Sequence, residues 1–386
     1  MARKEGPEID FYEGFKVADS FQKFVTAGDL GGTKERLLLY GQREDGTVEK
    51  IVRANWFGEE VESIKDMFAE YHTILQDNNL KQPEEAVLGC AGIIEDEGKY
   101  CNFTNIALEV STEELAEMGL DVELINDFFA NAQQIPWLKE LDREEIPHKY
   151  EPENPGPNPS KAMAVLGPGT GLGVASIYWD EEKGYHPQPS EGGHKAWSPR
   201  NDLEWSLYNY LKAEITDGRD PDVETVASGR GLANIVNFLC YGRLPKGKKD
   251  KKIQKIKDLR KGSGFQKFVK NINAEEPQVA GRQIIRAYKD KRYSVILKYA
   301  VNIFVAAVAA AARDVVHDFC AYNGVYISGG NARRLRKAFL SGRFMEVFDQ
   351  SYEHTDKLRG TPVYLVTSRT LGTDGAARHA FSRSRK

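Results

Sequence analysis

The sequence lacks the features that mark several common classes of protein. Its four cysteines, Cys90, Cys101, Cys240 and Cys320, include no CxxC pair, which argues against a zinc finger or a thioredoxin-type site. The stretch MARKEGPEIDFYEGFKVADS at the N-terminus is charged and has no apolar signal core. We therefore expect a reduced compartment, with the cytoplasm as the default location.

Strong net charge and long apolar runs are also missing. The formal net charge of −4 gives no reason to expect that the whole chain binds nucleic acid or a membrane surface. The longest apolar helical stretch, residues 299–312, is shorter than the roughly 20 residues that cross a bilayer. We predict a buried helix there and expect no nucleic-acid or membrane partner.

One segment departs from this balance, because residues 243–270 contain twelve Lys or Arg and only two Asp. Runs of like charge tend to be solvated and disordered, so we predict a solvated, mobile insertion. The alternative is a patch for nucleic acid or acidic lipid, but only Phe265 and Phe268 are present for base stacking. A second unusual segment, the Pro-rich loop at residues 151–159, is predicted to be a loop near a hinge between domains.

Predicted strands and helices alternate throughout the chain, and several strands form adjacent pairs, which favours an α/β fold with mixed sheets. Two glycine turns each join such a pair: DLGGT at residues 29–33 and GPGTGLG at residues 167–173. Closely spaced glycines let backbone N–H groups approach an anion. Neither turn is a P-loop, because no GK[ST] follows, and an apolar strand rather than a helix follows the second turn.

Polar residues follow the apolar strands at three further places. IND, residues 125–127, ends a strand, where an Asn-Asp pair could bind and deprotonate a hydroxyl or could cap the next helix. EGGH, residues 191–194, offers a carboxylate and an imidazole around a flexible turn. VETVASG, residues 223–229, adds Glu224, which would ordinarily be only a charge at a helix start.

In this order, DLGGT, IND, GPGTGLGV, EGGH, VETVASG and ISGG resemble the bacterial-type glucokinase family, over residues 24–377. That family belongs to the sugar-kinase branch of the actin-like ATPase (ribonuclease H-like) superfamily. The resemblance implies two α/β domains with a cleft that closes on sugar. We expect a polar leader at 1–20, a small α/β domain at 21–136 plus 371–386, and a large α/β domain at 137–370 that carries the insertion at 243–270.

The resemblance also implies roles for individual residues. Asp127 would be the catalytic base, and Asp29 would bind Mg2+ through water. The glucose-binding residues would be Asn105, Asn126, Asp127, Glu191, His194 and Glu224. The ATP-binding residues would be Asp29, Gly31, Gly32, Thr33, Gly169, Thr170, Gly171, Ser328, Gly329 and Gly330, with the last three at the adenosine.

The expected function is the transfer of the γ-phosphoryl group of ATP to the 6-hydroxyl of glucose, at the entry to glycolysis, by a homodimer. Two alternatives stay open: a kinase for another hexose, and a sugar sensor without activity. An ADP- or polyphosphate-dependent donor is also open. No structural zinc is expected, because KAWSPRND follows His194 where related kinases carry a cysteine cluster.

Overall fold

A computed structural model of the chain describes residues 6–31, 34–57, 61–103, 107–153, 160–245, 251–275 and 277–383. The chain divides into two units. The first comprises Met1–Leu138, Tyr185–Pro189 and Ser368–Lys386, and the second comprises Lys139–Gly184 and Ser190–Thr367.

The first unit is built on a six-stranded sheet in the order β1-β4-β3-β2-β5-β9. Its strands are β1 (Glu8–Phe11), β2 (Lys23–Leu30), β3 (Lys34–Gln42), β4 (Val48–Phe57), β5 (Glu85–Cys90) and β9 (Asp121–Asn126), and a smaller sheet holds β6 (Gly92–Glu95), β7 (Tyr100–Phe103) and β8 (Glu109–Ser111). Its helices are α1 (Ile64–Asp77), α2 (Thr112–Ala116), α3 (Asp127–Gln134) and α14 (Leu371–Arg383). Strands β1 to β4 pair antiparallel, whereas β2, β5 and β9 run parallel, so the sheet is mixed as predicted.

Both faces of this sheet are covered. Along β2 and β3, Leu30, Leu37 and Leu39 pack towards the side of α1, while Val25 and Leu38 pack against alanines of α14. Residues of one strand alternate between the two faces, so two apolar faces require a nearly continuous apolar run, which the sequences of β2 and β3 contain. The central strands β2 and β3 are therefore buried on both faces.

The second unit contains five strands in the order β10-β15-β14-β11-β12. They are β10 (Arg143–Glu145), β11 (Met163–Pro168), β12 (Leu172–Asp180), β14 (Val325–Ile327) and β15 (Val363–Val366); a further strand is β13 (Gly184–Ser190), whose residues Tyr185–Pro189 belong to the first unit. The helices are α4 (Asp202–Glu214), α5 (Gly229–Tyr241), α6 (Lys251–Leu259), α7 (Ser263–Ile272), α8 (Pro277–Lys289), α9 (Ser294–Phe319), α10 (Gly330–Arg334), α11 (Arg336–Phe339), α12 (Met345–Phe348) and α13 (Thr355–Arg359).

Helix α9 contains the apolar stretch that was predicted to be buried. By length and composition alone this helix could cross a membrane, but 78% of its most apolar window is buried by the residues around it. Apolar side chains surround it on all sides in the core of the second unit. A helix that is apolar on every face is expected at such a position, so the prediction of a buried helix is confirmed.

The prediction of a solvated basic insertion is wrong for the part of residues 243–270 that the structure describes. These residues form α6 and α7, and each helix buries one apolar face. Ile253 and Ile256 on α6, and Phe265, Val269 and Ile272 on α7, are less than 9% exposed. The spacing of three and four residues between these side chains places them on one face of each helix, and the lysines lie between them.

Two other boundaries differ from the predictions. Residues 8–11, inside the segment expected to be a polar leader, form β1, which pairs antiparallel with β4 at the edge of the first sheet. All four of these residues are exposed, and the strand is held by main-chain pairing and by the ion pairs of Glu8 with Lys34 and of Asp10 with Arg53. Glu224, which would ordinarily be a charge at a helix start, precedes α5 by a full turn: the helix begins at Gly229, where the Ser228 hydroxyl caps it by accepting from Gly231 N at 3.0 Å.

Close contact between α3 and α14 leads to a prediction about Gly375. A Cβ atom at this position would lie 1.7 Å from the carbonyl oxygen of Ala130. We expect Gly375→Ala to lower the free energy of unfolding by about 1–3 kcal/mol, because the helices must separate to admit the methyl group. The control is Gly264→Ala, where the nearest atom would be 3.7 Å away, and thermal unfolding of both variants is the measurement. Equal melting temperatures for the two variants would contradict the prediction.

Candidate active site

The predicted site residues fall into two groups, one in each unit, and each group is described by itself. The first unit contains Asp29, Gly31, Asn126 and Asp127. The second unit contains Gly169, Thr170, Gly171, Glu191, His194, Glu224, Ser328, Gly329 and Gly330. Gly32, Thr33 and Asn105 lie outside the described residues.

In the first unit, the parallel pairing of β2, β5 and β9 brings Asp29 close to Asp127. Asp29 pairs with Gly89 on β5, and Gly89 pairs with Ile125 on β9. A Cβ atom at Gly89 would lie 3.6 Å from the Cα atom of Asp127, an ordinary van der Waals distance that places the start of α3 directly beside β5. Both carboxylates therefore stand at the carboxyl edge of the parallel strands, where α/β proteins commonly bind ligands.

At the start of α3, the side chains of Asn126 and Asp127 make different hydrogen bonds. The Asn126 side-chain oxygen accepts from the backbone N–H groups of Phe128 at 2.9 Å and Phe129 at 3.0 Å, so Asn126 is the helix cap. Asp127 is the first residue of the helix, and its Oδ1 accepts from Phe128 N at 2.9 Å. Capping thus occupies the oxygen of Asn126, which leaves its amide nitrogen as the group that could donate to a ligand.

The electrostatic environment makes Asp127 an unusual carboxyl group. Its burial at the sheet edge raises its pKa from 3.8 to about 7, and the negative charge of Asp29 adds to this increase, although backbone N–H groups oppose it. A carboxylate with a pKa near neutral can take a proton at physiological pH and still release it afterwards. Asp127 therefore has the properties of a general base.

Asp29 is held by a partner that the sequence analysis did not identify. Arg36 lies directly opposite Asp29 in the β2–β3 hairpin, and the two side chains form a close ion pair. On the other side, a Cβ atom at Gly372 of α14 would be 3.3 Å from the Asp29 carboxyl carbon. The hairpin pairing of residues around DLGGT could have revealed Arg36, because cross-strand pairs follow from the register of the turn.

Position 31 requires glycine because of its backbone conformation, rather than because of its amide. Its φ of 108° lies in the region that favours glycine, and a Cβ atom would come within 2.8 Å of both Ala91 and Phe103. Its N–H donates to Oε2 of the buried Glu35 at 2.6 Å. In this structure the Gly31 amide is therefore engaged by Glu35, which differs from the expectation that it faces a phosphate.

In the second unit, GPGTGLG is the tip of the β11–β12 hairpin, with Gly167 opposite Gly173. The carbonyl oxygen of Gly169 accepts from Gly229 N at 2.8 Å and from the Asn331 side-chain nitrogen at 2.8 Å. Its own N–H donates to the Gly167 carbonyl at 2.8 Å. The turn is thus connected to the first residue of α5 and to α10, which makes it a rigid loop.

The predicted adenosine turn lies beside this loop. Ser328 N donates to the Leu166 carbonyl at 2.7 Å, and Gly329 has a φ of 94°. Gly330 begins α10, and the next residue, Asn331, is the one that reaches Gly169. The structure therefore brings Ser328, Gly329 and Gly330 together with Gly169, Thr170 and Gly171.

EGGH is drawn against the same loop by close backbone packing. A Cβ atom at Gly193 would lie only 2.2 Å from the Leu172 carbonyl oxygen, so a larger residue would push the two segments apart. The Gly193 carbonyl accepts from Glu224 N at 2.9 Å, and Ala196 forms a β-bridge with Asp222. His194 and Glu224 therefore lie on adjacent antiparallel segments, while the Glu191 side chain is 90% exposed.

His194 has a charged partner that was not predicted. Its Nδ1 atom is 3.0 Å from Oδ2 of Asp222, and its Nε2 atom is 3.8 Å from Oε2 of Glu191. The hydrogen bond with Asp222 raises the pKa of His194 above its usual value, with partial burial opposing it and Glu224 among the acidic groups that add to it. Asp222 thus orients the imidazole, as carboxylates commonly do for functional histidines.

Glu224 is the best-anchored carboxylate of the second group. Its Oε2 atom accepts from Leu172 N at 2.7 Å, and its Oε1 atom is 2.5 Å from Nη2 of Arg230. His194, Asp222, Glu224 and Arg230 line one cavity of about 480 Å³. Sequence reasoning missed Arg230, and no local pattern marks it, because the pairing depends on the turn that precedes α5.

Carboxylates available to a metal are few in the parts of the chain that the structure describes. No group of three or more His, Cys, Asp or Glu side chains is close enough to bind a metal ion by itself. Mg2+ in phosphoryl-transfer sites commonly uses one or two carboxylates together with water and substrate phosphates. Asp29 is compatible with that arrangement, because a single carboxylate at the glycine turn is the donor that it requires.

Comparison with known proteins supports one family. The family model described as Glucokinase matches residues 26–383. Curated glucokinases from Nostoc punctiforme and Synechocystis are 29% and 28% identical to this chain over 358 and 365 residues, and these alignments cover 92% and 91% of the chain and 97% and 96% of the relatives.

Solved structures of low identity share the fold. A glucokinase from an Antarctic psychrotroph has a TM-score of 0.66 at 23% identity, covering 92% of this chain and 98% of that one. A Balamuthia mandrillaris glucokinase in complex with glucose has a TM-score of 0.67 at 16% identity, covering 98% and 100%. The predicted actin-like ATPase fold is thereby confirmed, and because the family model matches nearly the entire sequence, the chain belongs to the glucokinase family.

Proposed function

We propose that the protein is a glucokinase that transfers the γ-phosphoryl group of ATP to the 6-hydroxyl of glucose, giving glucose 6-phosphate and ADP. Beside the family membership, the observation that carries the proposal is the carboxyl group of Asp127, at the edge of parallel strands with a pKa near 7. The substrate follows from the curated relatives, which are named as glucokinases.

In the proposed reaction, Asp127 accepts the proton of the 6-hydroxyl. An alcohol is a poor nucleophile, and a carboxylate within hydrogen-bond reach takes its proton as the bond from oxygen to phosphorus forms. The bond between the γ-phosphorus and the bridging oxygen of ADP breaks, and ADP leaves with that electron pair. Asn126, which caps α3, would hold the hydroxyl through its amide nitrogen.

For ATP, we assign the phosphates to the two glycine turns and the adenosine to Ser328, Gly329 and Gly330. In the second turn, the amides of Thr170 and Gly171 are the groups assigned to a phosphate, because the Gly169 and Leu172 amides donate within the protein. In the first turn Gly31 has a steric role, and we assign a phosphate to Gly32 and Thr33, which lie outside the described residues. Mg2+ would neutralise charge on the phosphates, with Asp29 bound to it through water.

For glucose, we assign Glu191, His194 and Glu224, together with Asn105, which lies outside the described residues. Carboxylates accept hydrogen bonds from sugar hydroxyls, and an imidazole can donate or accept. Several simultaneous hydrogen bonds favour one stereochemistry, because a wrong sugar leaves a polar group without a partner. The protein is further proposed to be a cytoplasmic homodimer, and light scattering would measure the oligomeric state.

An assay of several hexoses against ATP, ADP and polyphosphate tests the proposed function directly. We expect the highest kcat/KM for glucose with ATP, measured by coupled detection of the sugar phosphate and of ADP. A higher value for another hexose would reassign the substrate. Hexose binding without turnover of any donor would identify a sensor.

Replacing Asp127 by asparagine should separate catalysis from stability. We expect Asp127→Asn to lower kcat by about 10²–10⁴-fold, because the general base is lost. In the wild type, activity should rise with pH through about 7, as Asp127 loses its proton. Near-normal turnover by the variant would contradict the role of Asp127.

The raised pKa of Asp127 makes the folded state less stable as pH rises, whereas activity is expected to increase over the same range. The folded state favours the protonated form of Asp127. The contribution of this protonated form to folding stability is present below the unfolded pKa near 3.8 and is lost as pH rises through about 7. Asp127→Asn resembles the protonated form and should therefore exceed the wild type in stability at pH 8, by at most about 4 kcal/mol. The difference should shrink at pH 5, which thermal unfolding at both values would measure.

Glu191→Gln should weaken sugar binding while catalysis is retained. The neutral amide accepts hydrogen bonds less strongly than a carboxylate, so we expect KM for glucose to rise about tenfold with kcat within a few-fold of the wild type. The matched control is Glu182→Gln, an exposed carboxylate in the turn after β12. An unchanged KM for glucose would count against the assignment of Glu191.

A further inference from the structure

The side chain of Glu224 is held at both oxygens before any ligand binds. Oε2 accepts from Leu172 N at 2.7 Å, and Oε1 is paired with Arg230 at 2.5 Å. The backbone of the same residue is also tied down, because Glu224 N donates to the Gly193 carbonyl and its own carbonyl accepts from the Ser228 hydroxyl at 2.7 Å. Only 14% of the Glu224 side chain is exposed, so it has little freedom to rotate.

This arrangement leaves defined positions for a ligand. Each carboxylate oxygen has two lone pairs, and one on each oxygen is used by the protein. The second lone pair on each oxygen can accept from a hydroxyl, so the fixed carboxylate presents two acceptors at a set spacing. Two adjacent hydroxyls of a sugar ring match that spacing, whereas a freely rotating carboxylate would have to be ordered when the sugar binds.

Of the two groups that anchor Glu224, one is a backbone amide and the other is a side chain that a mutation can remove. Leu172 N is a backbone group in the β11–β12 hairpin, and the space beside it is closed, because a Cβ atom at Gly171 would lie 2.3 Å from Oε2. Arg230 is a side chain on the first turn of α5 and is 44% exposed. Arg230 is therefore the anchor that can be removed without disturbing the backbone of the glycine turn.

Arg230 also faces the cavity that contains the proposed sugar residues. His194, Glu224, Arg230 and Asn234 line this cavity of about 480 Å³, together with Ile272 and Ala280. The guanidinium contacts the carboxylate through Nη2 at Oε1, while the Leu172 amide holds Oε2. Its position beside Glu224 gives it a direct effect on the geometry of that carboxylate.

We propose that Arg230 is a positioning residue that orients Glu224 for hexose binding and so sets the affinity of the site for the sugar. The inference rests on the proposed function, because it assigns a hexose to the site of Glu224. Fixing a long side chain before binding avoids the entropic cost of ordering it when the ligand arrives. The affinity for glucose therefore depends on Arg230 even if Arg230 does not contact the sugar.

The first test compares Arg230→Gln with Arg230→Lys. We expect Arg230→Gln to raise KM for glucose about tenfold, with kcat and KM for ATP within about twofold of the wild type, since each 1.4 kcal/mol is a factor of ten. Arg230→Lys should recover part of the affinity, because it keeps the charge. The control is Arg219→Gln, which removes an 82% exposed arginine of the same unit from a loose pair with Asp217 and should change neither constant.

The second test shows whether Arg230 acts through Glu224. In a double-mutant cycle, Arg230→Gln should have little further effect on KM for glucose in an enzyme that already carries Glu224→Gln. Effects that multiply independently would overturn the proposal, and so would a change confined to KM for ATP. If Arg230→Gln unfolds, Arg230→Met and Arg230→Lys supply the same comparison, with melting temperatures measured for every variant.

Failure of the proposed function can be distinguished from failure of this inference. Glucose binding is measured by calorimetry together with turnover, so a wild type that binds glucose without phosphorylating it still reports the effect of Arg230 on Kd. A wild type that turns over glucose, combined with an Arg230→Gln variant of unchanged KM, overturns the role of Arg230 alone. A wild type that neither binds nor phosphorylates any hexose overturns both.

Discussion

Close backbone packing around the glycine turn at residues 167–173 is the constraint on which the second unit depends. The carbonyl oxygen of Gly169 accepts two hydrogen bonds, one from the start of α5 and one from Asn331 of α10. At Gly171 and Gly193, a side chain would come within 2.3 Å of neighbouring atoms. Glycine is needed here because three segments of chain meet at distances that no larger residue permits, and the groups assigned to ATP and to sugar are brought together as a result.

In the first unit, the parallel pairing of β2, β5 and β9 brings two carboxylates together against their electrostatic repulsion. Asp29 and Asp127 are acidic groups at neighbouring strand ends, and their repulsion contributes to the high pKa of Asp127. Arg36 neutralises Asp29 from the opposite strand, while Asp127 has only backbone N–H groups to offset its burial. The two carboxylates therefore differ in their surroundings: Asp29 is paired with a cation, whereas Asp127 has no such partner in the part of the chain that the structure describes and its pKa is raised to about 7. A base of this kind costs the folded state stability whenever it is ionised.

The sequence predicted features that depend on local patterns and missed those that depend on tertiary pairing. Apolar runs, glycine turns and polar residues at strand ends were sufficient to predict the α/β fold, the turn at Gly169 and the position of Asp127. The edge strand at residues 8–11 gave only a weak signal, because Ile9 and Phe11 alternate with acidic residues over just four exposed positions. Arg230 and Asp222 were missed because their partners are determined by how the segment before α5 lies against EGGH, which no spacing in the sequence encodes.

The insertion at residues 243–270 shows how one pattern can conceal another. The count of lysines predicted a solvated segment, whereas isoleucine, valine and phenylalanine at helical spacing among those lysines form the buried faces of α6 and α7. Reciprocal hydrogen bonds between Asn237 of α5 and Asn273, at 2.9 and 2.8 Å, fix the end of α7. Ile272, in the last turn of α7, then forms part of the wall of the cavity that Glu224 and Arg230 also line. Helix α7 thus extends from the insertion to the candidate sugar site in the second unit, because it begins within residues 243–270 and ends at Ile272, which lines the cavity.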